Sequence, residues 1–145
     1  MPLVCRTVAM DEEDFAACVA IRLEVFVDEQ HVPSDEEMDD LDAVSVHVLA
    51  AQDGAPIGTG RLIPHDDGSA RIGRMAVRAE HRRRGVGGAI LLRLMEIAAE
   101  RGIAKVSLAA QRHAIPFYER HGFIAHGDVF LDAGIEHRLM DRTLP

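Results

Sequence analysis

Residues 82–88 read Arg82-Arg83-Arg84-Gly85-Val86-Gly87-Gly88, between an alternating stretch that ends at Val77 and an apolar-periodic stretch that begins at Val86. A helix N-terminus leaves its first amides unpaired and carries partial positive charge, so a glycine-rich turn leading into one can wrap a phosphate in backbone N–H groups. Gly85 and Gly87 let the backbone come close and adopt positive φ without a Cβ clash. The arginines add charge-assisted hydrogen bonds. No GK[ST] follows, so this is not a Walker loop, and the GxGxxG spacing of a dinucleotide site is absent. A phosphate-bearing ligand survives both exclusions. The competing reading is a solvated arginine turn whose glycines only connect strand to helix.

Outward from the loop, Val86 to Arg101 places Ile90, Leu91, Leu94, Met95, Ile97 and Ala98 on one helical face, and Gly102 stops it. Upstream, Val44–Ala51, Ile57–Ile63 and Ala70–Val77 form a three-strand meander, joined by Asp53-Gly54 and by a turn over 65–69. Downstream come a buried strand Val106–Ala109, a short helix Pro116–His121 ending at Gly122, and a hairpin of Ile124–Phe130 with Ile135–Met140 around Ala133-Gly134. At the start, Leu3–Val8 reads as a strand. Asp11 reads as the N-cap of a helix running to about Phe26, with Phe15, Cys18, Val19 and Phe26 as its buried stripe. The stretch 27–42 dissolves into acids plus Pro33, a loop or frayed second helix. The expected fold is a single mixed α/β domain over residues 1–145, with an antiparallel meander plus a parallel pair and helices on both faces.

Composition agrees with one compact domain: 145 residues, 48% hydrophobic, 28% charged. Such a length needs no disulfide framework or structural metal. Cys5 and Cys18 lack a CxxC pattern and read as buried thiols. With no run approaching a membrane span and no signal-like start, the expectation is a cytoplasmic protein that neither enters a membrane nor is exported. The net charge of -8 argues against nucleic acid. It is unevenly distributed. Asp11–Asp42 holds 13 acids and one base, whereas Arg71–Lys105 holds nine bases and three acids.

The chain resembles the GNAT superfamily of N-acetyltransferases. The resemblance is carried by Arg82-x-x-Gly85-x-Gly87, by the preceding Arg74-Met75-Ala76-Val77, and by Phe117-Tyr118-Glu119-Arg120-His121-Gly122-Phe123 after the long helix. It is similar to the ElaA/YjcF-like branch through Arg22-x-Glu24-Val25-Phe26-Val27-x-Glu29-Gln30, Glu36-x-x-Asp39-x-x-Asp42, His47 and Gly134-Ile135-x-His137-x-x-Met140. The resemblance implies a GNAT-like sheet and acetyl-CoA as co-substrate. The pyrophosphate would lie on the amides of Arg82, Arg83, Arg84, Gly85, Val86, Gly87 and Gly88. The pantetheine arm would pair with the backbone of Met75, Ala76 and Val77, where an N–H would face the thioester oxygen. Tyr118 matches the tyrosine beside the thioester sulfur, a general acid for the leaving thiolate. Many members carry an asparagine after the following strand, where this chain reads Ala110-Gln111.

The implied activity is transfer of acetyl to a primary amine by direct attack, without an acyl-enzyme; the alternative is an acyl-CoA sensor or a catalytically degenerate module that docks a protein partner. An alkyl amine is roughly 99.9% protonated at pH 7, so something must accept its proton. Glu29, where the first helix gives way to the acidic stretch that the resemblance places beside the acetyl group, ranks first, and Asp42, His47 and His137 are further candidates toward the substrate. His47 lies on an apolar strand, where a structural histidine is common, while His137 shares a strand face with Ile135 and Leu139. Asp35, Glu36, Glu37, Asp39, Asp40 and Asp42 read equally as a site for a cationic amine or as a solvated face. The run lacks the glycine and terminal glutamate of an EF-hand, and no metal site is expected. Expected partners are a small-molecule or peptide amine, and a monomer or homodimer.

Overall fold

The structure, a computed structural model, describes residues 3–37 and 39–145. Seven strands form one sheet: β1 (Leu3–Val8), β2 (Val46–Gln52), β3 (Ala55–Pro64), β4 (Ser69–Val77), β5 (Lys105–Gln111), β6 (Ile124–Asp132) and β7 (Ile135–Thr143). Their spatial order is β1-β2-β3-β4-β5-β7-β6. All neighbours run antiparallel except β4 and β5. The mixed sheet with a single parallel pair is the expected architecture.

Helices cover both faces. α1 (Phe15–Arg22), α2 (Ser34–Glu37), α3 (Val86–Glu100) and α4 (Ile115–Glu119) supply them. The apolar stripe of α3 buries Ile90, Leu91, Leu94 and Ala98 against Leu62, Ile72, Val106, Leu108 and Met140. This is the larger core. It forms because alternate residues of each strand point to one face and the α3 pattern repeats at helical spacing. Close approach of α3 to the sheet requires Gly58, where a Cβ would sit 2.8 Å from Ile90 Cδ1 and 3.2 Å from the Ala76 carbonyl oxygen. On the other face, Phe15, Cys18, Ile21 and Val25 pack on Val8, Leu49 and Ala76. The thiols Cys5 and Cys18 are free and belong to different faces of the sheet.

The first helix departs from expectation at both ends. It starts at Phe15, not at Asp11, because residues 10–14 form turns in which the Glu12 carboxylate accepts from the Ala9 amide at 3.1 Å and Asp14 pairs with Arg6. It then widens into a π-helical segment over Leu23–Glu29, closed by the Gln30 amide donating to the Val25 carbonyl at 3.2 Å. Such wide turns need tertiary support and recur at functional sites. Here the segment brings Val25, Phe26 and Gln30 onto the wall of a cleft. The acidic stretch is neither wholly loop nor one frayed helix. It folds as α2 followed by a 3₁₀ turn over Asp40–Val44, capped by Asp39, whose carboxylate accepts from the Leu41 amide.

Candidate active site

The site begins where two strands part. Parallel pairing of β4 and β5 covers only Ser69, Ala70 and Arg71 with Lys105, Val106 and Ser107. Beyond that β4 stays with β3 to Val77, and β5 stays with β7 to Gln111. Their facing edges therefore diverge. A free strand edge presents unpaired N–H and C=O groups to any extended ligand. The β3–β4 register slips between Thr59 and Arg61, and Arg74 opposite takes a φ of 52°. This bulge turns the backbone just before Met75, Ala76 and Val77. The gap opens into a cleft of about 1070 Å³.

At one end of the cleft stands the N-terminus of α3. Gly85 holds the preceding position at φ 80°, a conformation that costs a side chain dearly and glycine nothing. The amides of Val86, Gly87 and Gly88 belong to the first turn, which has no partners within the helix. Arg83, Gly85, Val86, Gly87 and Gly88 line the cleft, and so do Met75, Ala76, Val77 and Arg82; Arg84 does not. Arg82 is engaged within the protein: its guanidinium donates to the Val77 carbonyl at 2.9 Å and pairs with Glu29 at 2.7 Å. It clamps loop, β4 and the π-helical segment together.

Tyr118 projects from α4 into the cleft, its hydroxyl 3.8 Å from the Met75 sulfur. Edge contacts with Phe117 and Phe123, centroids 5.0 and 6.0 Å away, fix the ring. Burial pushes the phenol up to about 12, so it is fully protonated at neutral pH. The Gln111 side chain donates to the Gln30 amide oxygen at 2.8 Å and ties the two walls together.

The groups expected at the acceptor divide. His137 lies on β7 and lines the cleft; its Nδ1 is 2.7 Å from the Ile135 carbonyl, and its ring stacks on Phe130. A carbonyl can only accept, so Nδ1 carries the proton and Nε2 keeps a lone pair. Glu29 does not line the cleft, and its carboxylate is held by Arg82. Asp42 and His47 are each only 2% exposed and lie off the cleft wall, a correction to their expected substrate-facing role. Asp42 bonds Arg22 at 2.9 Å and Arg61 at 2.8 Å. The His47 Nε2–H donates to the Asp42 carbonyl at 2.9 Å, and its ring meets Phe15 edge-on. Desolvation lowers the His47 pKa and keeps the ring neutral.

The acidic stretch is thus drawn inward. Glu37 bonds Arg22 at 2.7 Å and pairs with Arg74, and Asp39 bonds both Arg61 and Arg74. Burial raises Glu37 despite its arginines. The paired hydrogen bonds from Arg61 bring Asp39 to about 2. Asp42 would be raised by burial, but Arg22 and Arg61 hold it below the usual range. The side chains of Asp35 and Glu36 lie outside the described residues. Arg61 and Arg74, on the cleft lining beside Glu37, and the buried Arg22 escape a reading of the sequence as site residues. Their signal was nonetheless present: Arg22 continues the apolar stripe of Cys18 at the next turn, and Arg61 interrupts the apolar run Ile57–Ile63. A cation in such a position needs a buried carboxylate partner.

Comparison with known proteins fits this geometry. The model of the acetyltransferase (GNAT) family matches residues 9–123. YjcF of Bacillus subtilis (strain 168), described as an uncharacterized N-acetyltransferase, is 40% identical over 134 residues, covering 92% of this chain and 95% of the relative. An acyl-CoA N-acyltransferase from Pseudomonas aeruginosa shares the fold with a TM-score of 0.83 and 32% identity, covering 97% of this chain and 98% of that one. Escherichia coli ElaA superposes with a TM-score of 0.87 at 26% identity, covering 97% and 99%.

Proposed function

The chain belongs to the acetyltransferase (GNAT) family, in its ElaA/YjcF-like branch, and is an acyl-CoA-dependent N-acyltransferase; from that premise we propose that it moves acetyl from acetyl-CoA to a primary amine by direct attack. The carrying observation is the parting of β4 from β5, with Tyr118 at the Met75 bulge and the open α3 N-terminus on one continuous cleft. The residues fit the co-substrate. The amides of Val86, Gly87 and Gly88 with the Arg83 side chain suit a pyrophosphate, and the free edge of Met75–Val77 suits the two amides of a pantetheine arm. Acetyl-CoA supplies an electrophilic thioester carbon and a thiolate leaving group.

In this reading the amine nitrogen bonds to the acetyl carbon and the carbon–sulfur bond breaks. Charge building on the acetyl oxygen is met by a β4 backbone N–H near Ala76. The Tyr118 hydroxyl gives its proton to the departing sulfur and regains one from solvent. Its high pKa does not forbid this, because the apolar site that disfavours tyrosinate disfavours a bare thiolate as well. The proton leaving the amine goes to His137 Nε2, directly or through a water, and then to bulk. Glu29 acts as a positioning residue through Arg82. No group of three or more metal-ligating side chains gathers among the described residues.

The test is release of free thiol from acetyl-CoA across a panel of amines. Turnover is expected, with the acetamide as product. In His137→Asn the rate at pH 7 should fall about a hundredfold and recover as pH rises toward the amine pKa, where no base is needed. Acetyl-CoA binding without turnover on any amine would contradict the enzyme reading.

A further inference from the structure

We propose that the acceptor amine carries an anionic oxygen group, a carboxylate or phosphate, that docks on Arg71; the inference rests on the acyltransferase reading above and adds the class of acceptor. Arg71 is exposed and lines the cleft, and its guanidinium makes no hydrogen bond or ion pair among the described residues. That sets it apart from its neighbours. Arg22, Arg61 and Arg74 are each bound to carboxylates of the acidic stretch, and Arg82 is bound to Glu29. Arg83 and Arg120, also on the lining and without a side-chain partner among the described residues, lie at the α3 entrance and the end of α4, the end assigned to the co-substrate. Arg71 is left for the other ligand.

Its placement suits the task. Along β4, Ala70 and Ile72 point into the α3 core, so Arg71 and Gly73 point to the opposite face. Ile63 and Ser107 are its cross-strand neighbours where the parallel pairing ends. A Cβ on Gly73 would meet nothing within 4 Å, so no side chain stands there between Arg71 and the bulge. The facing wall carries one unpaired carboxylate among the described residues, Asp132 at the β6–β7 turn, a counter-group for an ammonium rather than an anion. At about 3.3 Å per residue, Arg71 lies roughly 13 Å along the strand from Met75. The anion therefore sits several bonds from the reacting nitrogen, as in an ω-amino acid rather than an α-amino acid.

The experiment titrates CoA-saturated protein calorimetrically with 5-aminovalerate, its neutral isostere 5-aminopentanamide, and 3-aminopropyl phosphate, and separately measures thiol release from acetyl-CoA with each. At least one of the two anions should bind about tenfold more tightly than the amide, the size of one charge-assisted contact, and the stronger identifies which anion is meant. Arg71→Ala should bring that affinity down to the amide's, and Arg71→Lys should restore part of it; an unchanged melting temperature shows that both variants fold. Equal binding of anions and amide, or discrimination that survives Arg71→Ala, overturns the docking role even if amines are acetylated. Arg71-dependent binding without thiol release supports the docking role and overturns the acyltransfer reading instead.

Discussion

The acidic stretch over 28–42 and the arginine-rich entrance to α3 look like mirror images in the sequence, one a pool of negative charge and the other of positive. In the folded chain they behave oppositely. Glu37, Asp39 and Asp42 turn toward Arg22, Arg61 and Arg74 and form a buried network that presents little net charge. At the α3 entrance, Arg83 makes no ion pair among the described residues, and it lines the cleft with the first-turn residues Val86, Gly87 and Gly88. A charge run thus tells where charge is made, while the partners decide whether a ligand can feel it.

The comparison breaks most visibly if the network loses its hub. Arg22 is 1% exposed and bonds both Glu37 and Asp42, so Arg22→Met leaves buried carboxylates short of a partner and should cost about 3–5 kcal/mol in urea unfolding. A surface role for the acidic stretch would instead give a change below about 1 kcal/mol. Acid sharpens the same point. His47, held neutral by burial, favours the folded state above its ordinary 6.5, and that contribution fades as pH falls below this value. Asp39, brought to about 2, favours the folded state above the ordinary 3.8 and loses that contribution as pH falls from there to about 2, with the lowered Asp42 losing its own in the same direction. Melting temperature should therefore decline in two steps on acidification, with Glu37, raised by burial, offsetting part of the loss between them because it favours the folded state as pH falls toward its ordinary 4.5; His47→Gln should abolish only the upper step.

Smaller effects belong to the loop. Gly85→Ala forces a side chain into φ 80° and should cost about 1 kcal/mol, seen mainly as weaker acetyl-CoA binding with an unchanged acceptor KM. Glu29→Gln frees Arg82 from a half-exposed pair and should shift stability by under about 1 kcal/mol. A large loss of kcat in that variant, with the His137 variant unaffected, would return the proton-accepting role to Glu29.

What the sequence made legible follows from which forces are local. The meander, α3 and the closing hairpin were readable because period-2 and helical patterns record burial residue by residue, as in Ile90, Leu94 and Ala98 facing Leu62 and Ile72. The α3 entrance was readable because Gly85 answers a local backbone demand. The continuation of the first helix as a π-helical segment to Glu29 was not, since that geometry depends on packing against β4 and the cleft. Nor was the role of the acids, because Arg22 meets Asp42 across 20 residues and Arg74 meets Asp39 across 35. Asp42 and His47 looked available as long as those partners were unknown.

Tyr118→Phe at saturating acetyl-CoA, with thiol release and calorimetric CoA affinity measured on the same preparation, tests the central claim most directly. Among the described residues the hydroxyl's hydrogen-bond partner is the Met75 sulfur, so removing it should leave the cleft intact. The account predicts a fall in kcat of about a hundredfold with CoA affinity within about twofold of the parent. An unchanged kcat, or a loss of rate matched by an equal loss of affinity, would contradict it.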